Sequence, residues 1–312
     1  MTTRLKGAKT TGQPESRDWV YLGLVIVLGG SSFAMIRTAV ETLPPTAIMV
    51  GRLWVAAALL YAMARFKRRR FPPVIARTRD GPRLHRAWAY MASVGIIGNT
   101  IPFWLFPWAQ QYVESGLAGV YMAFMPIWTL GLAYLFIDER LTRNKIIGFG
   151  LGLVGVLLLM GPDALRGVAS SSFLAQAAML TATLCYAGST IIARRAPRLR
   201  PRVFAAGGVI AAAIAATPAL LFVDISASDL TPEAIWAVIG LGIAPSGIGV
   251  LFIIILIQRV GATFMALGNY LTPIWALIIG AVLFGESFEP AVFIALGIIL
   301  AGVFISQRTG VR

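Results

Sequence analysis

Hydrophobic residues are concentrated in ten runs along the chain, and short segments rich in Pro, Gly or charged residues separate these runs. A helix needs about 20 apolar residues to cross the hydrocarbon core of a bilayer, and most of the runs are about that long. The pattern therefore predicts ten membrane-spanning helices, called spans 1 to 10 below. We expect them at 18–37, 46–64, 87–109, 115–137, 146–161, 171–193, 203–223, 234–257, 261–284 and 290–306.

The basic residues between the runs indicate how the chain is threaded through the membrane. If the N-terminus is cytoplasmic, all but three of the 27 Lys and Arg residues fall on the cytoplasmic side, the exceptions being Arg37, Arg52 and Arg166. Cytoplasmic loops of membrane proteins carry such an excess of positive charge. The sequence thus predicts an even number of spans with both termini inside. It also explains the net charge of +14 as loop charge, so we expect a lipid bilayer and no nucleic acid as partner.

The composition excludes several classes of protein and site. The chain is 58% hydrophobic and 13% charged, whereas a soluble domain carries about 25% charged residues. It holds one cysteine, Cys185, and one histidine, His85. This excludes a disulfide framework and Cys-based metal sites, and it leaves little room for His-dependent catalysis. We expect no metal and no cofactor.

Segments of the two halves match each other in the same order along the chain. Pro126-Ile127-Trp128 recurs as Pro273-Ile274-Trp275, 147 positions later, and Glu139 recurs as Glu286 at the same offset. Five spans in each half would insert the second half upside down. Inverted repeats are typical of secondary transporters, whose site lies near the midplane between the repeats; duplication for packing alone is the other interpretation.

This repeat predicts an all-α integral membrane protein with a simple organisation. We expect a basic cytoplasmic tail, a first five-helix repeat, an outer linker, a second and inverted five-helix repeat, and a short cytoplasmic tail. Their bounds are 1–17, 18–161, 162–170, 171–307 and 308–312.

With ten spans, two inverted halves and the recurring Pro-to-Glu segment, the chain resembles the EamA branch of the drug/metabolite transporter superfamily over about 18–307. The resemblance implies export of small metabolites from a bacterial cytoplasm by alternating access, across the inner membrane. In its aromatic residues the chain is similar to exporters of aromatic and other apolar amino acids. The small four-helix drug exchangers of the superfamily use a membrane Glu, but here Ser31 and Ser32 occupy the first span. A neutral or zwitterionic substrate is therefore favoured over an exchanged cation.

Ionisable residues inside a membrane are costly and usually functional. Arg52, about a turn and a half into span 2, is the one clear case, since no Asp, Glu, Lys or His lies in the middle of a span. It can anchor a substrate carboxylate, or it can snorkel to the outer face or cap a helix there.

Pro and Gly interrupt spans in both halves. Paired interruptions of this kind point to the site and the hinges of a transporter, although Pro in membrane helices can also cause static kinks only. We expect hinges at Pro102, Pro107, Pro126, Pro245 and Pro273.

Polar and aromatic side chains on the same spans supply the candidate binding groups. In lipid such polar groups must find partners in neighbouring helices or line a wet cavity, and aromatic rings would favour an apolar or aromatic substrate. The candidate substrate-binding residues are Ser32, Asn99, Tyr121, Tyr186, Ser246, Asn269 and Tyr270.

The function expected from the sequence is export of small metabolites, above all aromatic and other apolar amino acids, through a midplane cavity. A metabolite other than an amino acid is an alternative substrate. A membrane-embedded enzyme acting on a lipid or prenyl substrate would need paired carboxylates, a metal cluster or an activated nucleophile, and a channel would need rings of charge or a filter loop. No such motif appears in the sequence. A monomer is favoured.

Overall fold

A computed structural model of the chain describes residues 14–66, 71–78, 81–137, 142–160, 171–197, 199–226, 229–260 and 262–307. Six spans are unbroken helices. In order, they are spans 1, 2, 5, 6, 9 and 10, at Ser16–Val40, Pro45–Phe66, Arg143–Met160, Ser171–Arg195, Ala262–Phe284 and Pro290–Gln307.

The other four spans are built from consecutive segments. Span 3 comprises Arg86–Gly95, a π-helical segment Ile96–Thr100, and Ile101–Ala109. Span 8 likewise comprises Pro232–Ile243, a π-helical segment Ala244–Gly249, and Val250–Arg259. The segments of span 4 are Ser115–Met122 and Met125–Ile137, and those of span 7 are Pro201–Ala216 and the 3₁₀ turn Thr217–Phe222.

Within the described residues, apolar helices therefore lie at all ten predicted positions. Eight are long and apolar enough over their described residues to cross a membrane, and shorter apolar stretches represent spans 9 and 10 at Leu271–Phe284 and Pro290–Ser306. The predicted fold class, a helical multi-pass membrane protein, is confirmed.

A small β-hairpin between spans 2 and 3 was not predicted. Strand β1, Ile75–Thr78, pairs antiparallel with β2, Gly81–Leu84. Gly81 has φ +109°, a value that only Gly adopts easily. After the hairpin, the imidazole of His85 accepts a hydrogen bond from the Ala87 N–H and caps span 3. The basic loop thus carries local structure that its charge pattern did not reveal.

The helices pack according to the internal repeat. The repeat relates spans 1 to 5 to spans 6 to 10 in order, and packed pairs of spans occur as related contacts. Spans 3 and 6 pack together as spans 8 and 1 do, spans 3 and 7 as spans 8 and 2 do, and spans 4 and 6 as spans 9 and 1 do. Three further packed pairs, 2 with 7, 4 with 9 and 5 with 10, each join a span to its own repeat partner. All of these contacts join one half to the other. The two halves are therefore interleaved and cannot separate as independent bundles.

Spans 5 and 10 approach each other closely through glycines. A Cβ on Gly148 would lie 2.4 Å from the carbonyl oxygen of Gly302, and one on Gly155 would lie 3.0 Å from that of Ala295. At the repeat offset of 147, Gly155 corresponds to Gly302 and Gly148 to Ala295, so the two contacts are related by the symmetry. Small residues at such positions let helix backbones meet.

Substituting Gly148 with Ala should therefore force spans 5 and 10 apart. We expect Gly148→Ala to destabilise the protein by about 1–3 kcal/mol, the usual cost of overpacking. Gly150→Ala is the matched control, because nothing lies within 4 Å of a Cβ at Gly150 and Ala favours helix over Gly. Thermal unfolding of the purified proteins in detergent would test this, and equal melting temperatures would contradict the close packing.

Candidate functional site

A cavity of about 440 Å³ lies among the middle parts of seven spans. Its described lining residues come from spans 1, 2, 3, 4, 6, 8 and 9. Most of them are apolar or aromatic, and both π-helical segments contribute to the wall through Asn99 and Ser246. The cavity has the size and the mainly apolar lining of a small-molecule site.

Arg52 forms part of the cavity wall and is buried, with 6% of its surface exposed. Its Nε donates a hydrogen bond of 2.7 Å to Oγ of Ser246 in span 8. Its guanidinium carbon lies 3.7 Å from the ring centroid of Phe103 in span 3, which is a cation–π contact. Among the described residues no carboxylate pairs with Arg52. This is the position of an arginine directed into the protein and not of one that snorkels to the surface.

Four of the predicted binding residues line the same cavity, namely Ser32, Asn99, Tyr186 and Ser246. The Tyr186 ring stacks on Phe106, with 6.2 Å between the centroids. The Ser32 hydroxyl donates to the carbonyl of Gly29 in its own helix. No described residue hydrogen-bonds the side-chain amide of Asn99, so this amide can serve a ligand.

Tyr121 is placed differently from its prediction. Its side chain is 1% exposed and is not among the described lining residues of the cavity. Its hydroxyl donates to Oε1 of Gln176 in span 6, and Nε2 of Gln176 donates to Ser172. Tyr121 therefore joins spans 4 and 6 outside the cavity, a position that does not favour contact with a substrate.

The last two predicted binding residues lie in span 9. Asn269 and Tyr270 belong to the helix Ala262–Phe284, and their side chains are outside the part of the chain that the structure describes. Nearby Gly268, Thr272 and Pro273 line the cavity.

The predicted hinge prolines fall at two kinds of position. Pro102 follows the π-helical segment of span 3 and Pro245 lies within that of span 8, while Pro107 stands inside Ile101–Ala109. Pro126 follows a break in span 4, where residues 123 and 124 form a turn. Pro273, its equivalent, stands inside an unbroken helix. The two halves therefore differ at this pair.

Sequence reasoning missed the π-helical segments themselves. They stand 148 positions apart, which is also the offset between Trp88 and Trp236, so each half carries one at the same place. Gly98 in the first has Ser189 against it, where a Cβ would lie 2.6 Å from Oγ. π-Helical turns are rare and are frequent at functional sites. The available signal was the Gly and Pro content around Pro245.

At the end that the charge pattern places inside, spans 1 and 8 close the cavity. Nε of Arg259 donates to Oδ1 of the fully buried Asp18 at 2.8 Å, and Glu15 lies 3.5 Å from the same guanidinium. The rings of Tyr21 and Phe252 stack at 4.9 Å. An apolar cluster packs around these contacts. It includes Leu22, Val25, Ile253, Leu256 and Val260, of which Val25 and Ile253 also line the cavity.

At the opposite end, Glu286, which follows the end of span 9, bonds to the start of span 4 and so forms the outer closure. Its carboxylate accepts hydrogen bonds from the backbone N–H and the hydroxyl of Ser115, at 2.8 and 2.7 Å, and from the N–H of Gly116 at 2.9 Å. A carboxylate there satisfies free N–H groups at the start of a helix. Partial burial, together with the charge of Glu286, raises the pKa of the neighbouring Glu114. Glu139, the equivalent of Glu286, lies outside the described residues.

A family model for EamA-like transporters matches residues 18–161 and again 173–307. The chain belongs to the EamA-like transporter family. Each half is one copy of the EamA unit, and the protein is a multi-pass membrane transporter and not an enzyme.

Several EamA-like relatives match almost end to end. An uncharacterized transporter of Archaeoglobus fulgidus is 23% identical over 94% of this chain and 99% of its own. A probable terminal-alkyne amino-acid exporter of Streptantibioticus cattleyicolor is 25% identical over 92% of each chain. The inner membrane transporter YedA of Escherichia coli K12 is 24% identical over 89% of this chain and 87% of its own.

A solved crystal structure has the same fold. It is 20% identical in sequence, its TM-score is 0.65, and the match covers 94% of this chain and 97% of that one.

The contrast between Tyr121 and Tyr186 gives a testable prediction. Tyr121→Phe removes a buried hydrogen bond and should cost about 1 kcal/mol of stability, but it should leave the substrate concentration for half-maximal transport unchanged. Tyr186→Phe should raise that concentration with little loss of stability, because Tyr186 lines the cavity. Thermal unfolding and transport kinetics of both variants would test this, and a weaker substrate affinity in Tyr121→Phe would contradict the assignment.

Proposed function

We propose that this transporter exports small metabolites, namely amino acids with aromatic or other apolar side chains, across the bacterial inner membrane. The observation that carries the proposal is a single buried guanidinium in the wall of a cavity that is otherwise mostly apolar and aromatic. Such a site offers one strong partner for a carboxylate and a large apolar surface for a side chain. Arg52 is thus the carboxylate anchor.

The other groups in the cavity complete a site for an amino acid. Asn99 presents an amide with oxygen and nitrogen atoms, and the hydroxyls of Tyr186 and Ser246 are weaker neutral partners. Phe103 and Phe106 supply aromatic surface on the same helix. The substrate's polar end would lie between spans 2, 3 and 8, and its side chain against the aromatic rings.

Transport by alternating access would break the two closures of the cavity in turn. The inner closure joins spans 1 and 8 through Asp18 and Arg259, and the outer closure joins spans 4 and 9 through Glu286. The π-helical segments and the prolines beside them are the hinges, since each interrupts a span next to the cavity. Because the halves are interleaved, each moving bundle contains spans of both.

The relatives support this substrate class and location. One EamA-like relative is named as a probable exporter of an amino acid, and another as an inner membrane transporter.

Counterflow in proteoliposomes tests the proposal. Vesicles loaded with unlabelled phenylalanine, tryptophan, threonine or methionine should take up the labelled amino acid with saturable kinetics. Arg52→Gln should lower this uptake at least tenfold, because an uncompensated loss of a charged hydrogen bond costs about 1.5–3 kcal/mol.

Arg65→Gln is the matched control, since Arg65 is exposed at the last turn of the same helix. It should exchange at the rate of the unchanged protein. If none of the four amino acids exchanges, or if Arg52→Gln and Arg65→Gln behave alike, the proposed site is wrong.

A further inference from the structure

We propose that the cavity recognises the carboxylate of its substrate and not the α-amino group, so that apolar monocarboxylates without an amino group are transported as net anions. This inference rests on the proposed transport function and extends its substrate class. Three features support it: the charges in the membrane interior, the contacts that orient Arg52, and the neutral lining groups that would have to bind an ammonium.

The membrane interior of the protein holds one positive charge that no acidic side chain balances. Asp18 and Glu233 are the acidic residues within the ten spans, and each lies in the first turn of its helix. Asp18 is already paired with Arg259 at the inner closure. Arg52, by contrast, lies about two turns inside span 2 and faces the cavity. A ligand that brings one negative charge would neutralise it.

The contacts of Arg52 leave the two terminal Nη groups of its guanidinium, called its fork here, free to bind an anion. Ser246 takes the Nε–H, and the Phe103 ring covers one face of the guanidinium. Both contacts fix the orientation of the group without using the two Nη atoms, for which the described residues provide no acceptor. A guanidinium held in this way binds a carboxylate through two parallel hydrogen bonds.

An α-ammonium group would find only neutral partners in this cavity. Apart from Arg52, the polar side chains of the described lining are amide and hydroxyl groups, such as those of Asn99, Tyr186 and Thr190. The hydroxyl of Thr190 already donates to the Tyr186 carbonyl. Moving an ammonium out of water without an anionic partner is costly, and the nearby charge of Arg52 repels it. Removing the amino group from the substrate should therefore not weaken binding.

The charge of the substrate then determines how the membrane potential acts on transport. Arg52 belongs to the wall and stays with the protein, so the substrate alone carries net charge across. An inside-negative potential drives a monovalent anion outward, whereas a zwitterion moves no net charge. Export of a monocarboxylate would therefore need no coupling ion and no membrane carboxylate to bind a proton.

Competition between three matched compounds tests which group is recognised. The three compounds share one aromatic side chain. Phenylalanine carries both charged groups, phenylpropionate carries the carboxylate alone, and phenethylamine carries the amine alone. In phenylalanine counterflow, phenylpropionate should compete for labelled uptake at least as well as unlabelled phenylalanine. Phenethylamine should compete about tenfold more weakly or worse. Equal competition by phenethylamine, or none by phenylpropionate, would overturn the inference.

A potassium gradient with valinomycin tests the transported charge. With an about tenfold potassium gradient that makes the vesicle interior negative, a monovalent anion should leave loaded vesicles until its concentration ratio approaches about tenfold. Phenylalanine should leave at a rate that does not depend on the direction of the gradient. Protein-free vesicles correct for the neutral acid that crosses lipid by itself. Protein-mediated efflux of phenylpropionate that ignores the potential would overturn the inference.

Two variants separate this inference from the proposed function. Arg52→Lys keeps the charge but loses the fork, so phenylpropionate exchange should fall several-fold and stay potential-dependent; Ser246→Ala frees Nε and should weaken phenylpropionate binding without removing the charge. If phenylalanine exchanges normally in both variants and phenylpropionate does not compete, the transport function stands and the inference fails. If phenylpropionate exchanges and amino acids do not, the inference stands and the amino-acid substrate is wrong. If neither compound exchanges, both are wrong.

Discussion

The buried charge of Arg52 is the constraint around which the site is built. An arginine in the middle of a membrane helix costs roughly 2.5–3.5 kcal/mol on insertion scales. The hydrogen bond to Ser246 and the ring of Phe103 recover part of this cost, since a desolvated cation–π contact contributes up to about 2 kcal/mol. Both partners come from other spans, and Ser246 is available because span 8 widens into a π-helical turn there. The local helix distortion and the buried charge are thus parts of one feature.

The internal repeat supplies the frame for this feature, and the site departs from the repeat symmetry. Span 2 begins at Pro45 and span 7 at Pro201, 156 positions later, and at this offset Arg52 corresponds to Gly208. At the offset of 148, Ser246 corresponds to Gly98. Spans 2 and 8 hold the buried charge of Arg52 between them. The related spans 7 and 3 instead pack closely through glycines, since a Cβ on Gly95 would lie 2.0 Å from the Gly208 carbonyl oxygen. One side of the duplicated scaffold therefore lines the cavity, and the other packs two helices tightly together.

The inner closure also departs from the repeat symmetry, because the helices related to spans 1 and 8 lack its arginine. Spans 1 and 8 meet at the ion pair of Asp18 and Arg259. The equivalent spans 6 and 3 also pack together, but Gln111 occupies the position of Arg259. Such differences are possible because the two related contacts, spans 1 with 8 and spans 6 with 3, are made by different residues, which can change independently.

The fold could be predicted from the sequence because its signals are strong and additive. Runs of about 20 apolar residues and the one-sided distribution of Lys and Arg each report on the bilayer itself, and the ten helices lie where these runs predict. The hairpin at Ile75–Thr78 and Gly81–Leu84 was missed because it depends on local turn geometry within a basic loop.

The site could be predicted only in part. Arg52, Asn99, Tyr186 and Ser246 stand out as polar groups in apolar runs, and the structure brings them to one cavity. Tyr121 shows the same pattern, yet its hydroxyl turns to Gln176. Which face of a helix meets the cavity depends on its rotation against its neighbours, and on the π-helical turns that shift this rotation within a span. Neither is encoded in a pattern of residue types.

Ligand protection of a cysteine in the cavity wall is the most direct test of the central claim that Arg52 binds the substrate. Met125 lines the cavity, so Met125→Cys in a chain whose Cys185 is replaced by Ala places one reactive thiol there. Saturating phenylalanine or phenylpropionate should slow its labelling several-fold, and adding Arg52→Gln should abolish this protection. Labelling that neither ligand slows, or protection that is equally strong without Arg52, would contradict the account.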